Sequence, residues 1–179
     1  MGADAAREQR TVELRDGRRV LVRPIRADDE AGLHDAFSRM SERSVYFRFF
    51  SPLKRLPEAL AQRLSQVDYR DRFALVAVTA EDRIVGVARY DRIADHSAAE
   101  VAVAVTDEEQ RQGLGSALLL VLAEIARNAG IETFTLIVLP ENQSMLSLLR
   151  HLGWVHRARF SGGVYEITFS TAAQEAGPA

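Results

Sequence analysis

The 179-residue sequence contains no cysteine, which excludes disulfide bonds, a cysteine nucleophile and cysteine-rich metal sites. It also lacks a long apolar run, since no stretch approaches the roughly 20 residues that a membrane-spanning helix requires. Neither sign of charge is in excess: the net charge is −2, which indicates neither nucleic-acid binding nor an acidic tail. The polar N-terminus has no apolar core, which excludes a secretory signal. We therefore expect a soluble, cytoplasmic protein without nucleic-acid or membrane partners.

The residues that are present fit one globular domain. Apolar residues make up 47% of the chain, and its length is that of a single domain with a sizeable core. We expect disordered tails at residues 1–10 and 171–179, and one domain over residues 11–170. The histidines are not spaced as metal ligands, so no metal site is predicted. They are His34, His96, His151 and His156.

The predicted elements place antiparallel strands before a strand–helix–strand–helix unit. Turn residues between alternating runs predict hairpins at Asp16-Gly17, Glu81-Asp82 and Gly162-Gly163. Apolar spacing and terminal residues predict helices at 26–40, 57–67, 115–129 and in the segment that begins at Glu141. The segment SERSVYFRFFSP gives no clear prediction. This order indicates an α+β or mixed-sheet arrangement with one right-handed crossover.

Two glycines, Gly113 and Gly115, stand where a predicted strand gives way to the longest predicted helix. The start of a helix leaves about four N–H groups without partners and carries partial positive charge. Glycine allows the backbone to approach an anion closely there. The stretch QRQGLG is therefore either a phosphate cradle or a tight turn that requires glycine, and its spacing alone does not decide between them.

Two common phosphate motifs do not fit this stretch. A nucleoside-triphosphate loop requires Gly-Lys-Ser/Thr, which the sequence does not contain. A dinucleotide fingerprint requires a third small residue where Leu118 stands. Its acidic residue should also end the next strand, whereas Glu132 precedes that strand.

The pattern Q-x-x-G-x-G after a strand, here Gln110 to Gly115, resembles the acetyl-CoA pyrophosphate loop of the GCN5-related N-acetyltransferase (GNAT) family. The resemblance extends over residues 18–169 in the order of the elements. SERSVYFRFFSP, VDYRDRF, AAEVAVAV and ENQSMLSLLRHLGW are most similar to the bacterial protein-lysine acetyltransferase branch, which acetylates enzymes such as acyl-CoA synthetases. The resemblance implies an α+β (mixed α/β) fold. Its central twisted sheet is mostly antiparallel, with a splayed parallel strand pair and flanking helices.

The resemblance also implies where acetyl-CoA, the co-substrate, is bound. Its pantetheine arm is expected against the splayed strand at Val103, Ala104 and Val105. The helix start is expected to hold the pyrophosphate through Gln110, Arg111, Gln112, Gly113, Leu114, Gly115 and Ser116. Asn142, at the start of the last predicted helix, is expected to reach the coenzyme, although asparagine is also a favoured N-cap.

Direct acetyl transfer requires a neutral amine, and a lysine amine is mostly protonated at neutral pH. The protein-acetyltransferase branch places its general base at the position of Glu100, which we expect to be partly buried at the start of its strand. The alternative is a solvated charge at a strand end. Many members carry a tyrosine as general acid seven residues after the motif asparagine, but this position is Leu149 here. The thiolate would then take its proton from water, or from another tyrosine that replaces the usual one. The candidates are Tyr46, Tyr69, Tyr90 and Tyr165.

The first helices of the family and their connection form the wall of the acceptor site. The aromatic residues of SVYFRFF are expected mostly in the core, with one or two in the cleft: Tyr46, Phe47, Phe49 and Phe50. Arg48 is expected to pair with an acidic group of the acceptor, or with Asp68 or Asp71.

The resemblance therefore predicts an N-acetyltransferase that transfers acetyl from acetyl-CoA to a primary amine. A protein lysine is the favoured acceptor, and an acyl-CoA synthetase is a candidate partner. The alternatives are an acetyltransferase for a small amine, amino acid or antibiotic, and a non-catalytic acyl-CoA sensor. A monomer and a homodimer are both compatible with the family.

Overall fold

The computed structural model describes residues 8–93, 97–153 and 157–172. Most of both predicted tails lies outside these ranges, as do His96 and His156. Within them the chain forms one eight-stranded sheet and five α-helices.

The sheet has the order β1-β2-β3-β4-β5-β6-β8-β7. Its strands are β1 (Arg10–Glu13), β2 (Arg19–Pro24), β3 (Arg72–Val78), β4 (Ile84–Arg92), β5 (Ala98–Val105), β6 (Thr133–Val138), β7 (Arg157–Ser161) and β8 (Val164–Ser170). Neighbouring strands are antiparallel except β5 and β6, which are parallel. The predicted mixed fold, with one parallel pair in a mostly antiparallel sheet, is confirmed.

The helices pack on both faces of the sheet. They are α1 (Glu30–Ser38), α2 (Glu42–Phe49), α3 (Glu58–Ser65), α4 (Leu114–Asn128) and α5 (Gln143–His151). One core cluster joins α1, α2 and α3 to β3, and a larger one joins α4 and α5 to the opposite face. Helix α4 connects β5 to β6 and buries Leu114, Leu118 and Leu122, as its apolar spacing predicts.

Helix α2 lies in the segment SERSVYFRFFSP, for which no clear prediction was possible. It begins after Ser41, whose side-chain oxygen accepts a hydrogen bond from the Ser44 amide at 3.2 Å. Its C-cap is Phe50, whose φ of +54° is left-handed. Only Val45 of this helix is buried, so α2 covers the sheet without contributing much to the core.

A buried ion pair fixes the start of α1 against β2. Arg23 donates two hydrogen bonds of 2.7 Å to the Asp29 carboxylate, and the Arg26 amide donates a third, also at 2.7 Å. The two side chains are only 9% and 10% exposed. Burial alone would raise the pKa of Asp29, but the hydrogen bonds from Arg23 and Arg26 outweigh it and lower this pKa.

A series of aromatic rings crosses the sheet under the parallel strand pair. Phe73 of β3 stacks on Tyr90 of β4 at 5.8 Å, Tyr90 lies 6.2 Å from Phe134 of β6, and Phe134 lies 5.7 Å from Phe169 of β8. Between β4 and β6, strand β5 contributes Ala99, which is fully buried and is the register partner of Phe134. These contacts join the two halves of the sheet.

Strands β5 and β6 stay together for only three register pairs, from Ala98 with Thr133 to Glu100 with Thr135. Beyond Glu100, β5 continues to Val105 while β6 pairs only with β8. The two strands therefore diverge, which is the predicted splayed pair. None of the helices in the described ranges combines the length and the apolarity that crossing a bilayer requires.

Candidate active site

The diverging strands open a cleft of about 1050 Å³. Its walls come from β4, β5 and β6, from α2, and from the beginnings of α4 and α5. The cleft holds Glu100 at the point where the strands separate, and the glycine loop lines it as well.

The start of α4 presents unpaired amides to this cleft. No group in the described part of the chain accepts a hydrogen bond from the amides of Gly113, Leu114, Gly115 and Ser116, and the first bond of the helix comes from the next residue. The Ser116 hydroxyl also has no hydrogen-bond partner among the described residues, and the exposed Arg111 lines the same cleft. Such a helix start suits an anion, because its N–H groups and its dipole both favour negative charge.

The two motif glycines are required for different reasons. Gly113 is the N-cap of α4 and has a φ of +86°, a conformation that L-residues rarely adopt. Gly115 has no such angle, but a side chain there would place its Cβ 3.0 Å from Leu148 of α5. The first glycine sets the turn, and the second lets α5 approach the loop.

Replacing Gly113 by alanine should weaken acetyl-CoA binding by roughly tenfold, because the left-handed turn is strained for alanine and the amides shift to relieve it. A steric clash is not the cause, since the nearest atom would be 3.9 Å from the new methyl group. Calorimetric titration with acetyl-CoA measures the effect.

Gly130 provides the matched control for this substitution. It follows the opposite end of α4, has a φ of +77°, and leaves open space around the methyl group that an alanine would add, with no atom within 4 Å. Gly130→Ala should lower the free energy of unfolding about as much as Gly113→Ala does, by about 1 kcal/mol, but keep the acetyl-CoA affinity of the parent protein. Equal affinities for the two variants would contradict the role assigned to the loop.

Two other loop residues make structural contacts. The Gln110 side-chain amide donates to Ser44 Oγ at 3.1 Å and to the Val105 carbonyl at 3.2 Å. The Gln112 carbonyl accepts from the Arg15 amide at 3.1 Å. These bonds attach the loop to α2, β5 and the β1–β2 turn. The Leu114 side chain is buried in the core, so that residue offers only its backbone to the cleft.

Strand β5, which is expected to contact the coenzyme, presents its residues alternately to the two faces of the sheet. Val101 and Val103 are buried in the core that β5 shares with α4, so the side chains of Ala102 and Ala104 lie on the cleft face. Val103, Ala104 and Val105 all line the cleft where β5 has no β6 partner. Their backbone is therefore open to an extended ligand.

Glu100 lies at the junction of the two strands. It is opposite Thr135 of β6 and Asp91 of β4 in the sheet register. The expected partial burial is wrong: the side chain is exposed, because the divergence of β6 leaves the space beside it open. No ion pair or hydrogen bond occupies its carboxylate within residues 8–93, 97–153 and 157–172. A free carboxylate in this position can accept a proton from a ligand in the cleft.

The N-cap of α5 and one residue within this helix, Asn142 and Leu149, were singled out from the sequence, and both have clear environments. Asn142 is the N-cap: its Oδ1 accepts from the Met145 amide at 3.2 Å, which confirms that alternative. Asn142 also lines the cleft, so its contact with the coenzyme stays a prediction. Leu149, at the position of the usual tyrosine, is fully buried in the core.

The aromatic residues of α2 are less buried than expected. Tyr46 and Phe50 are each 43% exposed, and Phe47 and Phe49 are half-buried. Three of these residues, Phe47, Phe49 and Phe50, line the cleft. The prediction that most of them are core is wrong, because α2 lies at the rim of the cleft with only Val45 buried.

Arg48 also lines the cleft and pairs with neither expected aspartate. The Asp68 carboxylate accepts three backbone amides of the following turn, and Asp71 pairs with Arg92. The Arg48 guanidinium lies over the Phe49 ring, 4.9 Å from its centroid. Desolvation lowers the pKa of Arg48 to about 10; the nearby Arg89 contributes in the same direction, and Asp91 opposes both in part.

Comparison with known proteins identifies the class of this fold and cleft. The profile of the Acetyltransferase (GNAT) family matches residues 39–154, which is more than half of the chain. The chain therefore belongs to the GNAT acetyltransferase family. It is an acetyl-CoA-dependent N-acetyltransferase, as the family resemblance predicted.

Individual relatives refine the comparison. Acetyltransferase PA5475 of Pseudomonas aeruginosa is 34% identical over 145 residues, which are 79% of this chain and 78% of that protein. Acetyltransferase Pat of Mycolicibacterium smegmatis is 32% identical over 148 residues, which are 80% of this chain but 44% of that protein. The crystal structure of the GNAT domain of S. lividans PAT superposes with a TM-score of 0.86 at 36% identity, covering 90% of this chain and 96% of that domain.

Proposed function

We propose that this protein transfers acetyl from acetyl-CoA directly to the side-chain amine of a protein lysine, with Glu100 as the general base. The observation that carries the proposal is the position of Glu100. Its carboxylate is exposed and unpaired within the described residues, at the fork between β5 and β6 and in the same cleft as the loop amides.

Glu100 would accept the proton of the acceptor ammonium, directly or through one water molecule. The neutral amine can then attack the thioester carbonyl, and general-base assistance of this kind contributes ~10²–10⁴ in rate. Leu149 offers no proton and is fully buried, so the departing thiolate would be protonated by water. The base is thus the only acid–base group that the proposal requires from this chain.

The remaining predicted residues would hold acetyl-CoA. The amides from Gly113 to Ser116, the Ser116 hydroxyl and the charge of Arg111 would bind the pyrophosphate. The open backbone of residues 103–105 would pair with the pantetheine arm, and Asn142 would contact it from α5. Gln110 and Gln112 would act by holding the loop in place, through the hydrogen bonds described above.

Two observations favour a protein acceptor. The relatives include Acetyltransferase Pat and the S. lividans PAT domain, in agreement with the resemblance to the protein-lysine branch. The half-exposed aromatic residues of α2, at the cleft rim, also offer the kind of apolar surface on which proteins dock. The cytoplasmic location expected from the sequence stays a prediction.

The test is acetyl-CoA turnover with a purified acyl-CoA synthetase and, separately, with a panel of small amines and amino acids. We expect acetyl groups on lysines of the synthetase, located by peptide mass spectrometry. Turnover confined to small amines would contradict the proposal, and binding of acetyl-CoA without any turnover would contradict it as well. The background is low, because Lys54 is the only lysine of the enzyme itself.

A further inference from the structure

The cleft wall contains a cation that has no ion-pair partner among the described residues. Arg48 of α2 is partly buried, lines the cleft, and makes neither an ion pair nor a hydrogen bond with any described residue. Its guanidinium contacts the Phe49 ring instead. A desolvated charge without a partner costs stability, and such groups are concentrated at functional sites.

The carboxylate that acts most directly on Arg48, that of Asp91, is already engaged. Asp91 of β4 accepts from Arg89 Nε at 3.1 Å and from Arg72 Nε at 3.1 Å, so one negative charge serves two arginines. Arg89 is 5% exposed and lies close enough to Arg48 to lower its pKa. This part of the cleft therefore has an excess of positive charge.

This excess lies near the reacting end of the cleft. Asp91 is the register partner of Glu100, and both side chains, like Arg89, lie on the cleft face of the sheet. Arg48 therefore lines the same cleft as the proposed base, and Asp91 acts electrostatically on Arg48 while lying opposite Glu100 in the sheet.

We propose that Arg48 binds a carboxylate of the substrates, an inference that rests on the proposed function. A guanidinium binds a carboxylate through two parallel hydrogen bonds, and desolvation strengthens them. Two sources supply this chemistry: an acidic residue beside the acceptor lysine, and the terminal carboxylate of an acyl group such as succinyl.

The experiment compares Arg48→Met with the parent enzyme on two matched pairs. The first pair is a lysine peptide with a neighbouring glutamate and the same peptide with glutamine, both with acetyl-CoA. The second pair is succinyl-CoA and acetyl-CoA, with the glutamine peptide as acceptor. Turnover is measured for each combination. Binding is measured by calorimetry for both acyl-CoAs, and for both peptides on the CoA-saturated protein.

The variant should lose roughly 10- to 100-fold in kcat/KM or affinity for the acidic member of one pair, and little for its neutral partner. The affected pair identifies the source of the carboxylate. Arg48→Lys should give an intermediate loss, because it keeps the charge but not the paired donors.

Arg43→Met is the matched control, since Arg43 also lies on α2, lines the cleft and covers an aromatic ring, that of Phe47 at 5.1 Å. Unlike Arg48, it is exposed, so its loss should affect both members of each pair equally. Thermal unfolding distinguishes a substrate-binding role of Arg48 from a structural one. Removal of an unpaired desolvated charge should raise the Tm of Arg48→Met, whereas loss of a structural contact would lower it.

The inference is overturned if Arg48→Met changes neither ratio, in turnover or in binding. The proposed function fails in a different way, with no acyl transfer from the parent enzyme to either peptide or to a protein. In that case the binding ratios still decide whether Arg48 holds a carboxylate.

Discussion

Replacing Glu100 by glutamine should lower the turnover number by about 10²–10⁴-fold and leave acetyl-CoA affinity unchanged. Glutamine keeps the size of the side chain but cannot accept the ammonium proton. The fold should be unaffected, because Glu100 is exposed and its carboxylate forms no ion pair or hydrogen bond with the described residues. Steady-state kinetics and calorimetric titration measure the two quantities separately.

A second test of this variant is its pH dependence. A lysine amine loses its proton near pH ~10.4, so the deficit of Glu100→Gln should narrow as the pH rises toward that value. Glu141→Gln is the control, because Glu141 is another exposed carboxylate that lines the cleft. Equal rates for Glu100→Gln and the parent enzyme would remove Glu100 from the mechanism.

The buried pair between β2 and the start of α1 has the largest predicted effect on stability. Asp29→Asn should lower the free energy of unfolding by about 3 kcal/mol, because Arg23 would keep its charge in a buried position without a counter-ion. The hydrogen bond that the Arg26 amide donates to this side chain would also be weakened. Urea-induced unfolding at pH 7 measures this loss.

The same pair should make stability depend on pH in a defined direction. The pKa of Asp29 is lower in the folded protein, so its contribution is complete above the unfolded pKa of about 4. It is lost as the pH falls through the folded value, where the parent and Asp29→Asn should converge. Asp35→Asn is the control: the Asp35 side chain is 48% exposed, so loss of its ion pair with Arg39 should cost less than about 1 kcal/mol. Equal losses for the two variants at pH 7 would contradict the value expected for the buried pair.

Most of the fold could be predicted because its signals are local. The Asp16-Gly17 and Gly162-Gly163 turns, the apolar face of α4 and the glycine at its start each depend on a few adjacent residues. Helix α2 could not be predicted in this way. It is two turns long, its aromatic residues face the cleft rim, and only Val45 carries the apolar signal of a buried face.

The candidate site could be predicted only as far as a motif and a family resemblance extend. The glycine spacing indicated the loop and the resemblance indicated Glu100, whereas side-chain burial and pairing depend on neighbours that are distant in sequence. Glu100 is exposed because β6 turns away from β5. Arg48 pairs with neither Asp68 nor Asp71, because these carboxylates are occupied by a backbone turn and by Arg92. Neither fact can be read from the residues on each side in the chain.

The aromatic contacts beneath the sheet determine where the strands part. Ala99 is small enough for Tyr90 and Phe134 to approach each other across β5, and this packing holds β5 and β6 together as far as Glu100. The point at which β5 and β6 separate is thus fixed by core packing, whereas the width of the cleft beyond it depends on residues that line the cleft. Engineering toward bulkier acyl donors should accordingly alter Ala102 or Ile137 at the mouth and leave the methyl group of Ala99 untouched.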